Sequence, residues 1–223
     1  MEPTIAVVLE VLIPIAFTGV FLAAIVGAVL FGRKQQEKAM ANLTAMANSL
    51  GLDLVVSEKR ALFGSSPPRL NGVLRGRAVQ VYSYTTGSGK SRQVWCALSA
   101  AVDDSSGLTL RISGENVLTR IGRTFGAREL VVGDEAFDSR FWIKTNDPDY
   151  MRVALLPEVR SRFLENWNAG ATGSISVENG EVKYVEQGFF SDAKRCDRFV
   201  AMAGLVCDIG EIVEVHRRRG SAI

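Results

Sequence analysis

An uncharged apolar run stands near the start of the chain. Residues 11–31 read VLIPIAFTGVFLAAIVGAVLF, twenty-one positions without Asp, Glu, Lys or Arg. At about 1.5 Å of rise per residue, a helix of that length covers a hydrocarbon core of about 30 Å, so the pattern predicts a transmembrane anchor over 1–32. Pro14 falls early in the run, where a missing amide disturbs a helix least. No basic segment precedes the run, and it exceeds the about 7–15 apolar residues of a signal peptide, which favours a retained anchor. Residues 33–50 then place Ala39, Leu43, Met46, Ala47 and Leu50 at helical spacing ahead of Gly51, predicting a helical stalk over 33–51.

From residue 52 the pattern changes to short apolar runs separated by turn residues. Strands are expected over 52–57, 70–77, 79–85, 93–102 and 108–112, with turns at Gly76-Arg77, Gly87-Ser88-Gly89 and 103–107. A helix is expected over 115–125 and a strand over 137–144. Asp147-Pro148-Asp149 supplies a cap, a first-turn proline and a first-turn acid for a helix of about two turns. Pro157 restarts helix for 158–167. Asn179-Gly180 between 174–178 and 181–187 is a strong hairpin signal. Ser191 then caps a long helix to about residue 215, whose Cys196, Phe199, Val200, Ala203, Val206 and Cys207 form one apolar stripe. The expected fold class is α+β: an N-terminal transmembrane helix, then an antiparallel β-sheet or partial barrel over 52–215 closed by the long C-terminal helix, with a basic tail over 216–223. A pleckstrin-homology-like barrel is one topology with this ordering.

Composition adds limits. The chain is 47% hydrophobic and 22% charged, which disfavours collagen-like, disordered and disulfide-scaffold classes. Residues 1–32 carry no Lys or Arg, whereas Arg33, Lys34 and Lys38 follow the run at once. The positive-inside rule then predicts a single-pass inner-membrane protein, N-terminus outside and domain cytoplasmic. Cys96, Cys196 and Cys207 show no CxxC spacing and read as buried free thiols. Gly19, Ala23 and Gly27 recur every fourth residue, a candidate helix–helix contact that would give a homodimer through the anchor. Residues 33–128 hold 14 basic and 6 acidic side chains, and residues 129–223 hold 12 and 16. Basic charge nearest the anchor makes the anionic inner leaflet a candidate surface, with Lys90, Arg120 and Arg123 as contacts.

Candidate chemistry is sparse. Gly87-Ser88-Gly89-Lys90-Ser91 ends like a phosphate-binding loop, but Tyr84 stands where the first glycine belongs and a strand follows, so the segment reads as a turn. Asp134, Glu135 and Asp138 form an acidic cluster without the alternation of a calcium loop. Turn chemistry accounts for them, and any exposed carboxylate among them is a candidate contact for a protein partner. A single histidine, His216, provides neither a zinc set nor a recognisable triad, and no GxSxG elbow is present. Trp95, Trp142 and Trp167 sit in or beside apolar runs and read as packing residues rather than a nucleic-acid platform. No catalytic residue, cofactor or metal is therefore expected.

Residues 107–165 carry a distinct pattern: Gly133, Asp134, Phe137, Asp138 and Phe141, then Asp147 and Pro148, then Leu156, Pro157, Glu158 and Arg160. In this the chain resembles a group of uncharacterised bacterial proteins, many with an N-terminal membrane helix, over about a quarter of its length. The resemblance implies a bacterial envelope origin and carries no activity. The sequence thus predicts a non-enzymatic, membrane-anchored domain that binds a protein partner or the inner leaflet. A small-molecule sensor with an apolar cavity between sheet and last helix is the alternative, and a membrane-anchored hydrolase ranks last.

Overall fold

The structure, a computed structural model, describes the backbone of residues 3–56, 67–102, 107–114 and 128–220, and the side chains of 19–56, 67–102, 107–114 and 130–216. The expected helix over 115–125, with Arg120 and Arg123, lies outside the described residues, as do residues 103–106 of an expected turn. Helix α1 runs Pro3–Leu50 without a break between the expected anchor and stalk. Among the described residues, no helix is long and apolar enough to cross a membrane. Side chains 11–18 of the expected span lie outside the described ones. The transmembrane, single-pass, inner-membrane assignment is thereby corrected, and with it the N-out topology, the cytoplasmic placement and integral membrane partnership.

Beyond α1 come β1 (Asp53–Val55), β2 (Arg69–Leu74), β3 (Arg77–Thr86), β4 (Gln93–Ala101), β5 (Leu110–Gly114) and β6 (Arg128–Leu130). Helix α2 (Glu135–Asp138), β7 (Phe141–Thr145), α3 (Pro148–Ala154) and α4 (Pro157–Asn168) follow, then β8 (Ser174–Glu178), β9 (Glu181–Gln187) and α5 (Ala193–Gly220). The architecture is α+β. The nine strands among the described residues join one antiparallel sheet in the order β1-β2-β3-β4-β9-β8-β5-β7-β6. A barrel would need its two edge strands to meet, and here β1 and β6 stay apart at opposite edges. The sheet is open, which corrects the partial-barrel and pleckstrin-homology-like expectation. The cause is the β8–β9 hairpin: it inserts between β4 and β5, with Leu98 opposite Tyr184 on one side and Ile112 opposite Ile175 on the other, and so widens the sheet.

Alternation sets which face is buried. In β3, Val79 and Val81 point inward between exposed Ala78 and Gln80, and the register carries the same face through Leu70, Leu98 and Tyr184. Helix α5 lies on β4 and β9 and fills that face with Phe199, Met202, Leu205, Val206 and Ile209, none more than 2% exposed. The last turns of α1 join the same core through Leu43, Met46 and Ala47. Gly51, at φ +66, ends α1 where a side chain would be strained.

Two elements depart from the sequence pattern. The strand expected from residue 137 starts at Phe141, because carboxylates wind the preceding residues into α2. Asp134 Oδ1 accepts from Phe137 N at 3.2 Å, and Asp138 accepts from the amides of Val132, Gly133 and Asp134 at 3.0, 2.8 and 3.0 Å. Strand β6 has three residues, too few for a period to register, and is held by its pairing to β7.

Candidate functional site

Helices α3, α4 and α5 enclose a groove of about 410 Å³. Each helix is placed by its own terminus. Asp147 caps α3 by accepting from Tyr150 N at 3.0 Å, with Pro148 in the first turn. Pro157 opens α4 directly after Leu156, because proline needs no amide partner there. Tyr150 Oη donates to the Ile212 carbonyl at 2.6 Å and ties α3 to α5. Apolar side chains of Ala154, Leu156, Val159, Ile212 and Val215 line the groove, and Glu158, Arg162, Asp208 and Glu211 supply its polar atoms. Leu156 and Val215 are 53% and 49% exposed, so the groove presents aliphatic surface to solvent.

The charges around the groove are not equivalent. Asp208, 13% exposed, accepts from Arg75 Nη1 at 2.7 Å and also from Arg162, so one carboxylate joins the β2–β3 turn, α4 and α5. This contact holds the Arg75 guanidinium above its ordinary pKa. Glu211 stands 3.7 Å from the same Arg75 nitrogen, and Glu158 has no ion-pair partner among the described residues. Arg75 and Arg162 are thus engaged by Asp208 and, for Arg75, by Glu211 as well, while Glu158 at the start of α4 is exposed.

The sequence-predicted residues are placed differently. Asp134 caps α2 and accepts from Arg160 Nε at 2.9 Å, a bond that holds its carboxyl below the usual range. Asp138 accepts from three amides of its own loop, which leaves Glu135 as the exposed member of the acidic cluster. Lys90 is exposed in a single 3₁₀ turn (Gly89–Ser91) between β3 and β4, at the far end of β3 from Arg75, about 30 Å away at the usual rise per strand residue. Gly19, Ala23 and Gly27 are exposed on α1, with nothing within 4 Å of a Cβ built at either glycine. None of these residues joins the groove. The pattern over 107–165 is chiefly a structural unit: the α2 loop, the α3 cap and the Asp134–Arg160 pair connect its parts, whereas Leu156 and Glu158 line the groove.

Two clusters elsewhere hold titratable groups. His216 Nε2 lies 3.0 Å from Asp147 Oδ2, and its ring meets Tyr150 edge-on at 4.6 Å. Its Nδ1 is buried, and among the described residues no group is in hydrogen-bond reach of it. Glu186, with no exposed side-chain surface, accepts from Arg198 Nε and Nη2 at 3.0 and 2.7 Å and from the Tyr184 hydroxyl. Burial alone would raise its pKa, but the Arg198 and Tyr184 bonds outweigh that and leave it below the ordinary value. Among the described residues, no group of three or more His, Cys, Asp or Glu side chains could hold a metal ion. A smaller cleft of about 180 Å³ lies beside α1, walled by Leu43, Val94 and Phe190.

Fold and groove together define an α+β domain with an open antiparallel sheet, one helical layer and an apolar, acid-edged groove in that layer. No protein-family model matches the sequence, and no curated protein matches it significantly. The fold is similar to the crystal structure of the mycobacterial trehalose monomycolate transport factor A, TtfA, with a TM-score of 0.50 and 11% sequence identity, over 82% of this chain and 96% of that one. At that identity the likeness is one of fold.

Sequence reasoning did not find the groove. Its lining residues are spread from Tyr150 to Val215 on three helices, and only tertiary packing brings them together. A usable signal was present in Leu156, an apolar residue next to the helix-opening Pro157 and outside any periodic stripe.

Proposed function

We propose that this chain is a non-enzymatic interaction module that docks a partner protein in the α3–α4–α5 groove. The observation that carries the reading is the exposed aliphatic surface of Leu156 and Val215 in the lining of a groove that also holds Glu158 and Glu211. Exposed apolar patches rimmed by polar groups mark interaction sites. The small-molecule sensor reading draws less support: it needs a chamber between sheet and last helix, where Phe199, Met202, Leu205 and Ile209 fill the space.

A photo-crosslinking amino acid at position 156 of the full chain, compared with one at position 90, tests the proposal. A discrete protein adduct is expected from position 156, absent from position 90 and lost when Val159→Asp is added. Equal adducts from both positions, or none from 156, would remove the docking role.

A further inference from the structure

We infer that the occupant of the groove is a basic amphipathic α-helix of the partner protein, an inference that rests on the groove being a docking site. Charge is the first argument. The groove lining holds three carboxylates, Glu158, Asp208 and Glu211, against one guanidinium, Arg162. Asp208 accepts from Arg162 and Arg75, Glu211 pairs with Arg75 at 3.7 Å, and exposed Glu158 has no ion-pair partner among the described residues. An apolar stripe flanked by Lys or Arg complements that arrangement, and an acidic segment is repelled by it.

Backbone chemistry is the second. All walls of the groove are helices, whose amides and carbonyls are paired internally, so no open strand edge is offered to an extended peptide. A segment entering an apolar groove without such an edge must satisfy its own backbone, which a helix does. Side-chain spacing is the third. Ile212 and Val215 stand three residues apart on α5, and Leu156, at the α3–α4 junction, with Val159 on α4 line the groove beside them. From Asp208 to Val215 the α5 wall spans about 10.5 Å, or two turns, which suits anchors at i, i+3 or i+4, and i+7 of the occupant.

Synthetic peptides of about 18 residues test the inference against the full chain by fluorescence anisotropy. One is a Leu/Lys amphipathic helix, one its Leu/Glu counterpart, and one a Leu/Lys sequence scrambled to remove the apolar stripe. The Leu/Lys helix is expected to bind at least about tenfold more tightly than either control, and progressively less tightly as salt is raised. The double variant Glu158→Lys with Glu211→Lys, which alters exposed residues only, should reverse the preference toward the Leu/Glu helix while its circular dichroism stays unchanged. Equal binding of the scrambled peptide, or a preference that the double variant does not move, overturns the inference. Crosslinking at position 156 separates the two levels. A specific adduct there, with no binding of the Leu/Lys helix, leaves the docking site standing and removes the helical basic occupant. Absence of both removes both.

Discussion

Glu186 shows how single residues set the stability of this fold. Arg195 lies 3.4 Å and Arg198 2.7 Å from its carboxylate, and removing one member of such a buried set leaves the others uncompensated. Glu186→Gln is expected to lower stability by about 3 kcal/mol at neutral pH, measured by urea denaturation. The sign of its pH dependence follows from a depressed folded pKa. Its contribution is present above the unfolded value of about 4.3 and is lost as pH falls through the folded value, so the glutamine variant should show a shallower acid limb. Asp134, lowered by its bond from Arg160 and by the Phe137 amide, acts in the same direction near the unfolded aspartate value of about 3.9, and Asp134→Asn should remove its share of that limb. Burial pushes the Cys96 thiol up to about 12 and the Cys196 thiol up to about 11, and Cys207 is also raised by burial. The native protein should therefore leave a thiol reagent unreacted at neutral pH and take up three equivalents once denatured.

At the scale of the elements, close approach is the decisive constraint. A Cβ at Gly114, in β5, would lie 2.0 Å from Cζ2 of Trp167 in α4. Gly114→Ala should therefore force helix from sheet and lower stability by about 1–3 kcal/mol, read as a shift of the thermal midpoint. Alternation made β3 visible in the sequence, because Val79 and Val81 are buried beside exposed Ala78 and Gln80, and Asn179-Gly180 marked the hairpin of β8 and β9. Asp147-Pro148 and Pro157 marked the starts of α3 and α4, since capping and proline chemistry are local. Helix α2 was not visible: its four residues follow from Asp138 reaching back to three amides, which spacing alone does not disclose. Strand β6 depends on pairing with β7 and the groove on three helices meeting, and both are properties of packing rather than of local pattern.

For the molecule as a whole, α5 is the element on which the rest depends. Its Phe199, Met202, Leu205, Val206 and Ile209 cover the centre of the sheet, and its Asp208 and Glu214 hold Arg75 and Arg77 at the β2–β3 turn. A chain ending before Ala193 should lose cooperative thermal unfolding and expose apolar surface to a hydrophobic dye, rather than fold into a smaller sheet. The position of the β8–β9 hairpin also bears on how the protein is made. Strand β4 ends at Ala101, and its partner β9 begins only at Glu181, about eighty residues later. At roughly 5–20 residues per second, a ribosome needs on the order of 4–16 s to supply it. Through that interval the nascent chain carries the open edges of β4 and β5, the kind of template on which neighbouring chains aggregate. The sheet is thus completed from its middle and near the end of synthesis, so translation speed over residues 102–187 becomes a determinant of yield.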